Sequence, residues 1–145
     1  MNYQEFTESM QLKEQDPRNL SPLTLAYLGD CVYELWIRSL LVTKGNRSVD
    51  HLNSMGSVLA KAPTQCAILH ELEPELTEEE LAVYRRGRNA KSPTKAKNAT
   101  VIEYRTATGF EALVGFLYLD HQEERLQQLL KRSFEIARKK NITQI

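Results

Sequence analysis

The sequence predicts an all-α fold, a single helical bundle of 145 residues built round one long, buried central helix. Three observations predict it. Residues 21–44 run without a helix breaker except Gly29, later segments repeat apolar residues at helical spacing, and no stretch reads convincingly as a strand.

The central helix opens at Ser21, an N-cap followed by Pro22 at the first helical position, and stops at Gly45. Leu25, Leu28, Val32 and Leu35 form one face of it, while Leu23, Tyr27, Tyr33, Ile37 and Leu41 populate the other side. A helix apolar nearly all round belongs at the centre of a bundle. Ser48 caps a second helix reaching about Lys61, and Pro63 is an early residue of a third that continues through Leu72 until Glu73-Pro74 ends it. Residues 77–80 (Thr-Glu-Glu-Glu) are a capping box, with three acids in the electropositive first turn of a helix that reaches about Arg86 and has Gly87 as its stop. Residues 87–100 hold Pro93, small polar residues and no apolar period, and read as an exposed basic loop. Helical pattern resumes near Val101, with a break or kink expected at Thr106, Thr108 and Gly109 before a core helix over 110–119. Residues 122–139, with Leu126, Leu129, Leu130, Phe134 and Ala137 in helical register, form an amphipathic closing helix.

A chain of this size has room for one core, so residues 1–145 are read as one domain. Hydrophobic residues at 41% and charged residues at 26% set it among ordinary folded helical proteins, away from disordered ones. The longest apolar run, 112–119, is too short to cross a bilayer, and the first residues lack the charged start and apolar stretch of a signal peptide. A cytoplasmic location with no membrane partner is expected. Cys31 and Cys66 stand apart from any ligand cluster and read as buried thiols. His51, His70 and His121 are isolated from one another, and none has a Glu three residues before it, which disfavours a di-iron bundle. Trp36 and the tyrosines of the central helix read as core or interface residues rather than base-stacking platforms.

The formal net charge is zero, yet the charges are segregated. Residues 71–80 hold six Glu and no cation, whereas residues 85–105 hold Arg85, Arg86, Arg88, Lys91, Lys95, Lys97 and Arg105 against Glu103 alone. A polyanion meets that local field rather than the average. The bland reading, a solvated basic loop offsetting the glutamates, fits the same pattern.

Two acids interrupt otherwise apolar helices. Asp30 is the only acid in residues 23–33, and Glu111 the only one in residues 106–119. An ionised carboxylate in a dry interior is costly without a cation or donors, so two of them on two central helices invite a shared partner. Ala26 lies one turn from Asp30, Gly29 beside it, and Ala107, Thr108 and Gly115 surround Glu111, so the two backbones have room to approach. Oxygen ligands without His or Cys favour magnesium or manganese over zinc. On pattern alone an Asp held by backbone donors and a Glu paired with Arg38 or Arg105 remain an equal alternative. Glu34, one turn beyond Asp30, reads as ion-paired or solvated.

Residues 25–34 (Leu-Ala-Tyr-Leu-Gly-Asp-Cys-Val-Tyr-Glu) resemble the ribonuclease III signature, an aromatic-Leu-Gly-Asp on a buried helix. Residues 110–115 (Phe-Glu-Ala-Leu-Val-Gly) with 118–120 (Tyr-Leu-Asp) resemble that family's second acidic motif. The likeness spans 21–120, and residues 85–92 with the short length point to the Mini-ribonuclease III branch, a ribonuclease III domain with no double-stranded RNA-binding domain attached. The resemblance implies a ribonuclease III-type bundle, a homodimer, and magnesium-dependent hydrolysis of double-stranded or structured RNA, with manganese as a substitute and 23S ribosomal RNA precursor as the substrate. It assigns Asp30 and Glu111 as catalytic, metal-holding residues. The larger family carries two more acids, at positions occupied here by Ala26 and Thr108, so phosphate oxygens are expected to help complete the ion's shell and Thr108 to orient a water. The basic residues Arg85, Arg86, Arg88, Lys91, Lys95 and Lys97 are expected to contact RNA. A non-catalytic RNA-binding module with the same fold is the competing expectation, and a helical scaffold that binds protein is a weaker third.

Overall fold

A computed structural model describes residues 2–91 and 99–145. Its helices are α1 (Tyr3–Ser9), α2 (Pro22–Lys44), α3 (Val49–Ala60), α4 (Ala62–Leu72), α5 (Glu78–Asn89), α6 (Val101–Leu119) and α7 (Glu123–Lys139), with short 3-10 turns at Pro17–Asn19 and Glu73–Glu75. Among the described residues there is no strand, as expected. None of these helices is long and apolar enough to cross a membrane.

Local chemistry sets the boundaries. Ser21 Oγ accepts from the Thr24 amide at 3.2 Å with Pro22 in the first turn, starting α2 where the sequence places it. Thr77 and Glu80 close the capping box of α5 in both directions, at 3.2 and 2.9 Å. Thr100 and Glu103 form a second box at the start of α6. α7 begins one residue later than expected because Gln122 is its N-cap.

The most buried helix is α6, with α2, α4 and α5 packed round it; α3 lies against α2 and α4, and α7 against α4 and α6. At the α2–α6 crossing the backbones touch. A Cβ on Gly29 would fall inside the carbonyl oxygen of Glu111 and 2.8 Å from the Gly115 amide nitrogen, and one on Gly115 would fall inside the Leu25 carbonyl. Only residues without a side chain permit that approach.

Three expectations about the helices are corrected. The break before Phe110 is absent, and α6 runs unbroken. Gly109 sits there because a Cβ would lie 2.6 Å from the Tyr84 carbonyl of α5, while Thr108 Oγ1 donates back to the Tyr104 carbonyl at 3.0 Å without ending the helix. Gly87 is likewise a contact rather than a stop, facing Ala112 and Gly109, so α5 continues to Asn89 and the first part of the expected 87–100 loop is helical. Thirdly, α2 is not buried all round: Tyr27 is 83% exposed, Leu35 59% and Val42 63%. Cys31 lies on this open side and is exposed, whereas Cys66 is buried. A further helix, α1, is capped by Asn2 and attached by Tyr3, whose ring meets those of Tyr118 and His121.

Two arginines fasten the periphery. Arg18 joins Asp120 at 2.8 Å and Glu79 at 3.3 Å with its guanidinium over the Phe116 ring, tying the chain before α2 to the end of α6 and the start of α5. Arg125 of α7 grips the buried Glu80 with two bonds of 2.8 Å and donates to the Glu75 carbonyl at 2.9 Å.

Candidate active site

The touching backbones of α2 and α6 bring the two singled-out acids together. Asp30 is exposed and Glu111 half-buried, and their carboxyls lie close enough across the crossing to act on one another. Burial first, and then the hydrogen bond and negative charge of Asp30, push Glu111 up to about 9; the more distant charge of Glu34 adds to this, and a hydrogen bond from Gln65 opposes it. Both causes favour the protonated form of Glu111, which relieves the repulsion between the two carboxyls.

The alternative pairing with arginine does not occur. Arg38 lies 3.6 Å from Glu34 on its own helix, and no ion pair to Glu111 is found among the described residues. Among those residues there is also no group of three or more His, Cys, Asp or Glu able to hold a metal ion. Ala26 and Thr108 occupy the two positions where the sequence reading notes missing acids, so Asp30 and Glu111 meet without them. Ala26 is buried, and Thr108 spends its hydroxyl proton on Tyr104, which leaves its lone pairs as acceptors.

A neighbour that the sequence reading missed completes the surroundings. Gln65 of α4, 2% exposed, donates from Nε2 to Glu111 Oε2 at 3.3 Å and to the Ala60 carbonyl at 2.8 Å. Its Oε1 is buried without a hydrogen-bond partner among the described residues. Behind the pair, the Tyr33 hydroxyl donates to the Leu59 carbonyl at 2.9 Å, and burial together with the charges of Glu111 and Glu34 raises it far above the ordinary phenol range. Two carboxyls close together, with no cationic side chain paired to Glu111 among the described residues, and an orphaned amide oxygen fit a hard divalent cation with its water shell, held by Asp30 and Glu111.

The chain matches the Ribonuclease III domain model over residues 23–122, a span that contains both acids and their crossing. The chain belongs to the ribonuclease III family. Within it the Mini-ribonuclease III branch is identified by its relatives: it is 43% identical to Mini-ribonuclease 3 of Clostridium tetani, covering 88% of this chain and 82% of that one. It is 50% identical to that of Symbiobacterium thermophilum, covering 80% and 89%. A solved crystal structure of a Fusobacterium nucleatum protein superposes with a TM-score of 0.75 at 31% identity, over 84% of this chain and 98% of that one. A ribonuclease III chain is an endoribonuclease acting on double-stranded RNA, and the family is generally divalent-metal dependent and dimeric.

The basic ribonuclease III residues expected to meet RNA divide in two. Arg85 and Arg86 are exposed on the last turns of α5, Lys91 is exposed just beyond it, and Arg88 is half-buried with its guanidinium 5.5 Å from the centre of the Tyr84 ring. Lys95 and Lys97 lie outside the described residues.

Proposed function

We propose that this chain cleaves structured, double-stranded RNA with a magnesium ion held between Asp30 and Glu111, manganese serving as a substitute. The observation that carries the reading is the meeting of these two carboxyls, from helices whose backbones touch, with no cationic side chain paired to either among the described residues. The ion, when bound, polarises the scissile phosphate and makes a water nucleophilic near neutral pH. Asp30, open to solvent, is the acid that an incoming phosphate meets, and Glu111 closes the inner side. Phosphate oxygens take the room left at Ala26, and the lone pairs of Thr108 orient a water.

Arg85, Arg86, Arg88 and Lys91, joined by Lys95 and Lys97, track the phosphates and reach the shallow groove of A-form RNA. A homodimer formed through the exposed Tyr27, Leu35 and Val42 side of α2 places one cleavage site in each subunit; an apolar face on the very helix that carries Asp30 supports it. The physiological substrate is 23S ribosomal RNA precursor in the cytoplasm, a reading supported by membership of the Mini-ribonuclease III branch.

The test is incubation of a structured precursor RNA with wild type, Asp30→Asn and Glu111→Gln, with and without magnesium. Only wild type with magnesium is expected to cut. Cleavage surviving in either variant overturns the site, and RNA binding by the wild type without cleavage returns the chain to a binding module.

A further inference from the structure

The amide of Gln65 is oriented by its surroundings. One end faces two acceptors, the Ala60 carbonyl and Glu111 Oε2, so that end is the NH2 group, and both of its hydrogens are committed. The other end, Oε1, is left buried without a donor. Covalent geometry keeps this oxygen one amide width from the nitrogen that touches Glu111. The anchor is stiff, because the Ala60 carbonyl belongs to the end of α3 and the adjacent Thr64 ties the same junction by donating to the Val58 carbonyl at 2.6 Å. Buried polar groups in folded proteins are nearly always paired, and an orphan beside a carboxylate pair points to a donor that arrives with a ligand.

We propose that Gln65 is a positioning residue for the metal-holding carboxylate. Resting on the reading of Asp30 and Glu111 as the ion's ligands, it holds Oε2 of Glu111 and leaves the other oxygen turned to the ion shared with Asp30. Its own Oε1 accepts from a water of the ion's hydration shell, which supplies the missing donor. Outer partners of this kind fix the orientation of a ligating carboxylate and are typically worth a tenfold to hundredfold change in metal affinity.

The experiment titrates Mn2+ into the RNA-free protein, followed by electron paramagnetic resonance, for wild type, Gln65→Met, Thr64→Val and Asp30→Asn. Methionine keeps the bulk of glutamine without a donor or an amide oxygen. Gln65→Met is expected to weaken Mn2+ binding about tenfold or more and to need correspondingly more magnesium for cleavage, with the rate restored when magnesium is raised. Thr64→Val breaks a bond at the same junction without touching Glu111, and is expected to keep wild-type Mn2+ affinity. Gln65→Met binding Mn2+ as wild type does, or Thr64→Val losing as much affinity, overturns the positioning role. Failure of the underlying site reading looks different: wild type binds no Mn2+, or Asp30→Asn binds it undiminished.

Discussion

Adding one methyl group at Gly29 tests the crossing on which the site depends. In Gly29→Ala the new Cβ enters the Glu111 carbonyl and lies 2.8 Å from the Gly115 amide, and both obstacles are backbone, so no flexible side chain can yield. The helices must separate, and a gap of even 0.5–1 Å forfeits roughly a quarter to a half of each contact's attraction along the Leu25, Tyr33, Phe110 and Leu113 seam. Overpacking typically costs about 1–3 kcal/mol, and this rigid case belongs at the upper end or beyond. Replacing helical glycine with alanine returns roughly 0.5–1 kcal/mol of propensity, leaving a net loss of about 2 kcal/mol or more. Gly56 is the matched control. A Cβ there meets only Leu41 Cδ1 at 3.6 Å and Ile37 Cγ2 at 3.8 Å, ordinary contacts, so Gly56→Ala gains the propensity and is stabilised by roughly 0.5–1 kcal/mol. Urea unfolding measures both, and a cleavage assay at saturating RNA accompanies it, since an ångström of misplacement costs on the order of a hundredfold in rate. Gly29→Ala as stable and active as wild type refutes the argument, because the two glycines then do not differ.

Four more outcomes follow from the geometry. The folded-state pKa of Glu111, about 9, lies above its ordinary 4.5, so its contribution to metal-free stability is full below that ordinary value and is lost as pH rises towards 9; thermal scans without metal are expected to show this fall in wild type and not in Glu111→Gln, while Mn2+ binding tightens over the same interval. Arg125→Ala strands the buried Glu80 and is expected to cost about 3 kcal/mol. Burial works to raise Glu80, but the Arg125 and Thr77 bonds prevail and hold it low, so that deficit is present above the ordinary carboxylate range and shrinks as pH falls through its depressed pKa, as urea unfolding at graded pH reads out. Changing Arg85 and Arg86 together to alanine is expected to flatten the salt dependence of RNA binding by about one to two phosphate contacts, with an unchanged slope refuting their role. Leu35→Glu sets a charge in the exposed side of α2, and light scattering is expected to report half the wild-type mass with the helical circular dichroism retained.

The helices from α2 onward, and the two acids that α2 and α6 bring together, were legible because their signals are local. Ser21-Pro22, the box at 77–80 and the isolated Asp30 and Glu111 each declare themselves within a turn or two of chain. Gly87 and Gly109 misled for the opposite reason: each reads as a helix end, but each is a site of contact with another helix, which propensity does not record. The open side of α2 was hidden because an apolar residue looks the same whether it meets the core or a partner. Gln65 carried the same signal as the acids, a polar residue in the buried run of α4, yet without a charge it gave no cost that demanded an explanation.

The proposed metal-holding pair also joins distant parts of the chain. About eighty residues separate Asp30 from Glu111, and the loop between them closes only when α6 settles among α2, α4 and α5. During synthesis α2 through α5 emerge first, carrying one acid, the glutamine and much of the basic surface. On the proposed reading, a nascent chain at that stage carries RNA-facing basic residues without the pair that would hold the ion. The proposed site is therefore a long-range feature of the fold, formed only where the most buried helix docks against α2.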